Sequence, residues 1–366
     1  MIKSLKISNF RCFSNIEANG FSRINLIGGK NNAGKTALLE ALLLMGKPSN
    51  QSIAKLQSFR RISREFLKEN PEKAWNNFFY QQKRNNEIIL AFELDQELGN
   101  RVSITCKDEA DDFINLIDDA EDDKDILEFA SNLKNTNSAK SSLNITAYNN
   151  YNNQLQKNVF VTNSNGSIGR GMEHTFFEVN FIPANYKLSP EQLAKEFDNA
   201  KLAKKSKVIL RAFQIIDANI EEVDTFNLGE SALYLRSNNE DYMLLSLFGD
   251  AMNRIADFVL KIVNTKNSVL LVDEIENGIH YENQEEVWNI LFSLCKEYDV
   301  QLFATSHSYE MIEAFKNCAM REEYQDNASY FEMLKHPVSH QTIIQKIPLL
   351  SLDDKLNNHK PVRGEK

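Results

Sequence analysis

The stretch from Gly29 to Thr36 reads GKNNAGKT and satisfies the pattern G-x-x-x-x-G-K-[ST] at every fixed position. In this pattern the backbone N–H groups form a nest for phosphate oxygens, and glycines permit the backbone angles that the nest requires. The lysine brings a positive charge to the β- and γ-phosphates, the following hydroxyl binds Mg²⁺, and the next helix adds its positive N-terminal end. The predicted nucleotide-binding residues are Gly29, Lys30, Asn31, Asn32, Ala33, Gly34, Lys35 and Thr36.

A second chemical element is the segment SVLLVDEIENGIH, an apolar strand that ends in two carboxylates. At the carboxyl end of such a strand Asp273 would lie beside the phosphate loop and hold Mg²⁺, directly or through water. Glu274 would then be placed to orient and deprotonate an attacking water. The competing interpretation is that both acids only cap the next helix.

The third element is LFATSHS, another apolar strand that runs into a polar turn. His307 in this turn is predicted to approach the γ-phosphate. A lone histidine is more often structural, but its place one strand after the carboxylates favours the catalytic interpretation.

Composition sets the broad class. The chain has 366 residues with 42% hydrophobic and 25% charged residues, which is typical of a soluble globular protein. No stretch approaches the roughly 18 to 20 apolar residues of a membrane span, and the N-terminus lacks a signal-peptide core. We therefore expect a cytoplasmic protein without membrane partners, and its four scattered cysteines predict no metal or disulfide framework.

Charge is unevenly distributed. The net charge is -9, while the segment from Asp108 to Glu128 holds eleven acids and one lysine and so carries -10. The net charge of the rest of the chain is about +1. Composition therefore does not indicate a nucleic-acid-binding surface and does not exclude one. An Asn- and Ser-rich stretch follows the acids. We interpret 108–166 as a solvated surface insertion rather than a specific docking site.

Strands alternate with helices over most of the remaining chain, which predicts a largely parallel sheet covered by helices. Strands are expected at IKSLKISNFRCF, RINLI, EIILAFEL, RVSITCK, TFFEVNFIPA, SVLLVD and VQLFATS, and a hairpin at YLRSNNEDYMLL. Helices are expected at 36–45, 189–218, 249–263 and 282–298, and from Tyr309, and a basic, aromatic and helical stretch at 51–87.

Five segments occur in an order that resembles the ABC-type ATPases of the OLD, RecF and SMC group, closest to stand-alone AAA family ATPases of bacteria and archaea. They are ISNFRCF, GKNNAGKTALLEAL, LLSLFGDAMNRI, LLVDEIENGIH and ATSHS. The resemblance implies an α/β fold with a mixed sheet around the phosphate loop, an antiparallel β lobe and a helical lobe. It implies one domain over 1–366 with an N-terminal lobe at 1–107, the insertion at 108–166, a strand, arm and hairpin at 167–248, a catalytic lobe at 249–335 and a tail at 336–366.

The same resemblance implies two ATP molecules, each with Mg²⁺, between two head-to-tail copies of the chain or within a higher oligomer. A signature loop from one copy would complete the other copy's site, and here it is SLFGDAM, with Ser246, Gly249 and Asp250 as candidates. Relatives commonly have serine and a second glycine where this chain has Leu247 and Ala251, so slow hydrolysis is expected.

Two further residues follow from the resemblance. Arg11 matches the arginine of the NFR motif, which lies near the nucleotide in related heads, and a packing role is the alternative. His280 lies in the NGIH segment, which matches a loop that crosses between subunits.

The expected output depends on what such a head controls. No sustained heptads for a coiled coil appear, only about fifty residues follow Phe315, and the LSGGQ signature of transporters is missing. One hypothesis is therefore an ATP-dependent switch that acts with a separately encoded nuclease or toxin in antiviral defence. The alternatives are a RecF- or SMC-like DNA-repair ATPase, whose basic aromatic stretch at 58–84 contacts phosphates or stacks bases, and a scaffold that holds ATP with little turnover.

Overall fold

The computed structural model describes residues 1–95, 97–117, 133, 140–172, 174–184, 187–238, 240–339, 341–358 and 360–362. Its strands are β1 (Ile2–Phe10), β2 (Phe13–Asn19), β3 (Ile24–Gly29), β4 (Ile88–Leu94), β5 (Glu97–Lys107), β6 (Lys140–Tyr148), β7 (Gln154–Asn163), β8 (Gly166–Gly171), β9 (Glu178–Ile182), β10 (Ile220–Asn227), β11 (Ser231–Ser237), β12 (Met243–Leu244), β13 (Ser268–Val272), β14 (Gln301–Ser306), β15 (Ala328–Lys335) and β16 (Thr342–Ile347).

Its helices are α1 (Lys35–Gly46), α2 (Asn50–Phe59), α3 (Arg64–Glu69), α4 (Asp111–Ile117), α5 (Pro190–Leu202), α6 (Ser206–Ile216), α7 (Asp250–Asn264), α8 (Gln284–Glu297), α9 (Tyr309–Ala319) and α10 (Leu349–Asn357). Within the described ranges, no helix combines the length and the apolar character needed to cross a bilayer.

A six-stranded sheet in the order β16-β15-β3-β14-β13-β9 carries the chemistry. Four of its five pairings are parallel, and only β16 runs antiparallel. The strands β3, β13 and β14 are buried along their whole length, as expected for a parallel sheet covered on both faces. Their carboxyl ends therefore meet at one edge, where the phosphate loop and the two polar turns begin.

The two faces of this sheet belong to two separate cores, because side chains alternate along each strand. Leu26, Val272 and Leu302 pack with α5 to α10. Ile27, Leu271 and Phe303 pack with α1 and with a second sheet. That second sheet is antiparallel throughout, in the order β2-β1-β4-β5-β6-β7-β8. The predicted mixed sheet, antiparallel β lobe and helical lobe are confirmed.

The expectation of a solvated insertion at 108–166 is wrong for most of its described part. β6 and β7 lie inside the antiparallel sheet, and seven consecutive residues of β6 are buried. Leu143 and Ile145 contribute to the main core on this side, so the polar composition hid alternating inward-facing residues. Residues 118–132 and 134–139 of the acidic and Asn/Ser-rich region lie outside the described residues, and the domain boundaries remain predictions.

Two other expectations need correction. The stretch 51–87 is helical only in α2, α3 and short single turns. Three of its six aromatic residues, Trp75, Phe78 and Phe79, are buried and so unavailable to stack on bases, whereas Phe66 is 40% exposed. The three buried rings belong to the core that α1 and the antiparallel sheet share.

Substitution of Ile145 tests the revised status of the Asn/Ser-rich stretch. Because the side chain is fully buried between β5 and β7, Ile145→Ala is expected to lower the free energy of unfolding by about 2–5 kcal/mol. Tyr151 lies in the turn between β6 and β7 and is 78% exposed. Tyr151→Ala should therefore change the free energy of unfolding by less than about 0.5 kcal/mol. Urea denaturation of both variants measures the difference, and equal stabilities would show that this stretch is the solvated arm after all.

Candidate nucleotide-binding site

The phosphate loop joins β3 to α1 and is held in shape by its own lysine. Lys35 Nζ donates to the backbone oxygens of Gly29 at 2.6 Å and Lys30 at 3.0 Å. Gly34 has a φ of 108°, and a Cβ there would lie 2.7 Å from Cys12 Sγ. Glycine is therefore required at this position by both backbone angle and space.

Asp273 joins the phosphate loop to the neighbouring strand. Its Oδ2 accepts a hydrogen bond of 2.8 Å from Thr36 Oγ1, and its Oδ1 accepts one of 2.7 Å from Thr305 Oγ1. The residue is 5% exposed, and burial raises the pKa of this carboxyl group, while the two hydroxyl donors oppose the rise. Both carboxylate oxygens of Asp273 are thus satisfied and fixed in direction.

Glu274 follows with an unusual backbone. Its φ of 47° is uncommon for a residue with a side chain and marks stored strain, which tends to occur at functional sites. Its N–H donates to Thr305 Oγ1 at 2.9 Å, and its Oε2 accepts from Asn277 Nδ2 at 2.8 Å. The turn therefore aims the second acid while fixing one of its oxygens.

These groups line one cavity of about 660 Å³. The sequence-predicted residues in its wall are Arg11, Asn31, Asn32, Gly34, Lys35, Thr36, Asp273 and Glu274. Lys30 is exposed on the loop and Ala33 is buried beneath it. The structure thus brings the phosphate loop and both carboxylates to a single place.

Arg11 reaches this cavity as part of a buried ion cluster. Its Nε lies 2.8 Å from one oxygen of Glu40, which is fully buried on α1, and Arg60 Nε lies 2.7 Å from the other oxygen. Arg11 also stacks on Phe78, with its guanidinium 4.2 Å from the ring centre. Arg11 is therefore a cavity residue and a packing residue at once, and Arg60 lines the same cavity.

Several acidic side chains lie close enough to the phosphate loop to act on its lysine. Burial lowers the pKa of the Lys35 ammonium, and the carboxylates of Glu276, Asp273 and Glu274 oppose this shift. Arg254 on α7 is 5% exposed and donates to the backbone oxygen of Asp273 at 3.2 Å. Three carboxylates thus act on Lys35 near the place where the phosphates would lie.

His307 does not line this cavity. Its backbone N–H donates to Glu276 Oε1 at 2.8 Å, and its Nδ1 lies 2.9 Å from the same oxygen. Glu276, three residues after Asp273, therefore fixes the histidine turn beside the two acids. The side chain of His307 is 39% exposed and so remains accessible from outside.

The candidate signature loop lies elsewhere on the surface. Ser246, Gly249 and Asp250 are exposed, and Ser246 and Asp250 line a different cavity, at the start of α7. A Cβ on Gly278 would lie 3.3 Å from Asp250 Cβ, so the turn that leads to His280 lies against the signature loop. Within one chain these residues do not meet the phosphate loop.

The residues fit a magnesium ion bound together with phosphate. Within the described part of the chain, no group of three or more histidine, cysteine or acidic side chains could hold a metal ion by itself. Mg²⁺ in phosphate sites needs only one or two protein oxygens, with the remaining ligands from phosphates and water. The adjacent oxygens of Thr36 and Asp273, with surrounding carboxylates in excess, provide that set.

Sequence reasoning did not assign four residues that build the site. Thr305 supports Asp273 and Glu274. Asn277 donates to Glu274, and Glu276 accepts from His307. Glu40 binds two arginines. A hydroxyl at the end of the strand next to the acidic pair was the available signal for Thr305. Nothing local distinguishes Glu40 from any other helix glutamate.

The fold and the site together define an ABC-like P-loop ATPase. Residues 24–313 match the family model described as "AAA domain, putative AbiEii toxin, Type IV TA system". The match covers most of the chain, and the protein therefore belongs to this family.

Individual relatives agree with this placement. The chain is 24% identical over 351 residues to an "ATP/GTP phosphatase" of Helicobacter pylori, with 90% of this chain and 92% of that protein covered. It is 33% identical over 119 residues to "Uncharacterized protein MJECL10" of Methanocaldococcus jannaschii, with 31% of this chain and 50% of that protein covered. A solved SMC head bound to the C-terminal winged-helix domain of ScpA aligns with a TM-score of 0.50 at 10% identity, over 95% of this chain and 98% of that one, which shows the shared head fold.

Substitution of Thr305 tests the support of the two acids. Thr305→Val keeps the shape but removes the hydroxyl, which leaves the Glu274 N–H and one Asp273 oxygen without their partner. We expect the free energy of unfolding to fall by about 1–3 kcal/mol. Thr305→Ser keeps the hydroxyl and is the matched control. Denaturation curves compare the two, and an equal loss in Thr305→Ser, which keeps the hydroxyl, would show that packing at this position rather than the hydroxyl determines the stability.

Proposed function

We propose that this protein is an ATP-hydrolysing switch that dimerises around ATP and controls a separate effector, with antiviral defence as its setting. The observation that carries the proposal is the convergence of Lys35, Thr36, Asp273 and Glu274 in one cavity. Nucleotide phosphates need cationic and N–H donors, and hydrolysis needs a base beside the terminal phosphate. Both requirements are met there by residues from two parallel strands and their turns.

Phosphate binding requires an exchange of partners at Lys35. Its ammonium group now donates to two loop carbonyls, and in the complex it would donate to phosphate oxygens instead. Burial lowers the pKa of this lysine. Bound phosphates would oppose that shift, because a negative ligand favours the charged form. The exposed loop residues Asn31 and Asn32 leave the backbone open to the ligand.

Hydrolysis then follows from the position of Glu274. A water oxygen forms a bond to the γ-phosphorus while the bond from phosphorus to the β,γ-bridging oxygen breaks. The proton of that water passes to Glu274 Oε1, because Asn277 occupies Oε2. Asp273 keeps its charge towards Thr36, where Mg²⁺ would neutralise developing negative charge on the phosphates. His307 is tied to Glu276 in the adjacent turn, outside the cavity wall, and would turn towards the γ-phosphate when ATP binds.

The dimer is supported by what one copy lacks. Ser246, Gly249 and Asp250 are exposed and lie outside the nucleotide cavity, so within one chain they make no contact with it. The His280 turn and the signature loop lie side by side, which offers one continuous surface to a second copy. A head-to-tail pair would bring this surface to the other copy's ATP.

An effector and a defence role are supported by the family. Its description includes the AbiEii toxin and a type IV toxin–antitoxin system, which are settings with a paired second protein. The Helicobacter relative is described as an ATP/GTP phosphatase, in agreement with turnover rather than a scaffold that only holds ATP. A nuclease or toxin remains the expected partner class.

A DNA-repair ATPase is the second candidate. Base stacking by Trp75, Phe78 and Phe79 is ruled out by their burial, but Arg61, Arg64 and Lys68 line a surface cleft near β8. Such a cleft favours phosphate contacts. DNA binding that weakens with salt and responds to ATP would favour this candidate, and no binding at low salt would exclude it.

The decisive variant for the switch is Glu274→Gln. Loss of the base should lower the rate of phosphate release by about 10²- to 10⁴-fold and leave ATP bound, so that ATP-dependent dimers accumulate. Phosphate release and light scattering after size separation measure the two effects. Glu282→Gln, in an exposed acid after the same turn, is the matched control.

Lys35→Ala separates binding from hydrolysis. This variant should lose ATP binding itself, as measured by calorimetry, whereas Lys30→Ala on the same loop should retain it, because Lys30 is exposed and does not line the cavity. Absence of phosphate release in the unmodified protein would leave the scaffold as the better description. Dimers that form equally well without ATP would contradict the switch.

A further inference from the structure

A second cavity, of about 740 Å³, lies between the segment that enters α5, the sheet of β10 to β12 and the first turns of α7. Its walls are mainly apolar, with the side chains of Leu188, Leu193, Leu233, Leu244 and Leu245. Cavities of about 300–1,000 Å³ with apolar walls and few polar groups are typical of small-molecule sites. Nothing in the proposed hydrolysis uses this cavity.

A buried carboxyl group belongs to its wall. Asp257 is 3% exposed, and its Oδ1 has no hydrogen-bond partner among the described residues. The backbone N–H of Leu188 acts on the same carboxyl group. Burial raises the pKa of Asp257 to about 6, so the group is largely ionised at neutral pH. Buried ionised oxygens normally have partners, and the open cavity beside Asp257 is where a partner can enter.

Two of the three cations near Asp257 are paired with other acids. Arg254, Lys261 and Lys187 all act on Asp257. Lys187 lies 2.8 Å from Asp250 and Lys261 pairs with Glu196. Arg254 interacts with Asp257 most strongly among the acids, and also with Asp273, Glu276 and Glu274. The cavity wall itself includes the acids Glu230, Asp250 and Asp257 together with Lys187, so its charge is complementary to a positively charged ligand.

We propose that this cavity binds a small organic cation with an apolar body, an amine or a guanidine, whose N–H group donates to Asp257 Oδ1. The leucine walls accept the apolar body, and the carboxylate selects the charged end. A neutral ligand of the same shape would leave the ionised oxygen without the stronger, charge-assisted hydrogen bond.

The position of the cavity connects such a ligand to the nucleotide site, and this step rests on the proposed function. Leu245, Ser246 and Asp250 of the signature loop form part of the wall. Asp257 lies on α7 one turn after Arg254, which reaches the backbone of Asp273. A bound cation would therefore fix the loop that is proposed to complete the second copy's ATP site, and so change the rate of hydrolysis.

The binding test needs no nucleotide. The probes are 4-phenylbutylguanidine, which is cationic, and 4-phenylbutylurea, its neutral analogue of similar shape, titrated by calorimetry. The unmodified protein should bind the guanidine at least about tenfold more tightly than the urea, since one charge-assisted hydrogen bond distinguishes them. Asp257→Asn should remove this preference, and Asp241→Asn, at an exposed acid of the same region, should keep it.

Equal binding of both probes, no binding of either, or an unchanged preference in Asp257→Asn would overturn the proposal. Should Asp257→Asn fail to fold by circular dichroism, Ala232→Phe tests the same cavity, because Ala232 lies in its wall and a larger side chain should displace the guanidine. Phosphate release is then measured with saturating guanidine. An unchanged rate would overturn only the regulatory step, and absence of hydrolysis without any probe would overturn the proposed function while the binding result stands.

Discussion

The carboxylate of Asp273 is the point on which the site depends. Its two oxygens are held by hydroxyls from two other segments, Thr36 at the start of α1 and Thr305 near the end of β14. A buried carboxylate without such partners would carry a large desolvation cost. The fold therefore has to bring three distant parts of the chain to one edge of the sheet, and parallel pairing of β3, β14 and β13 does so, because parallel strands end at the same edge.

The two cores position different side chains around that edge. The core shared with the antiparallel sheet surrounds α1, so Glu40 and the two arginines that it binds sit on the nucleotide side of the phosphate loop. The other core holds α7 to α10, and with them Arg254 and the exposed signature loop. Arg254 on α7 donates to the backbone oxygen of Asp273, so this core is in contact with the acidic turn at the strand end.

Local patterns predicted the parts of the site that lie within one segment. An apolar run that ends in polar residues marks each of three segments: the phosphate loop, the acidic pair after β13 and the strand before His307. The pairing of Glu276 with His307, the two arginines on Glu40 and the double support by Thr305 depend on tertiary contacts, so no local signal specified them. The Asn- and Ser-rich stretch misled for the same reason. In β6 the residues Ser141, Ser142 and Asn144 are buried beside Leu143 and Ile145, and sheet hydrogen bonds offset a composition that otherwise indicates solvent.

The charges of the site favour phosphates bound together with a divalent cation over phosphates alone. Burial lowers the pKa of Lys35, its ammonium donates to two loop carbonyls, and three carboxylates act on it. Phosphates alone would add negative charge next to Asp273 and Glu274, which would be unfavourable. A divalent cation bound with the phosphates cancels part of that charge, and the phosphates give Lys35 stronger acceptors than carbonyls. Arg254 on α7 interacts electrostatically with Asp257 in the wall of the second cavity and with Asp273, Glu276 and Glu274 at the nucleotide site, so this cation lies between the acids of the two sites.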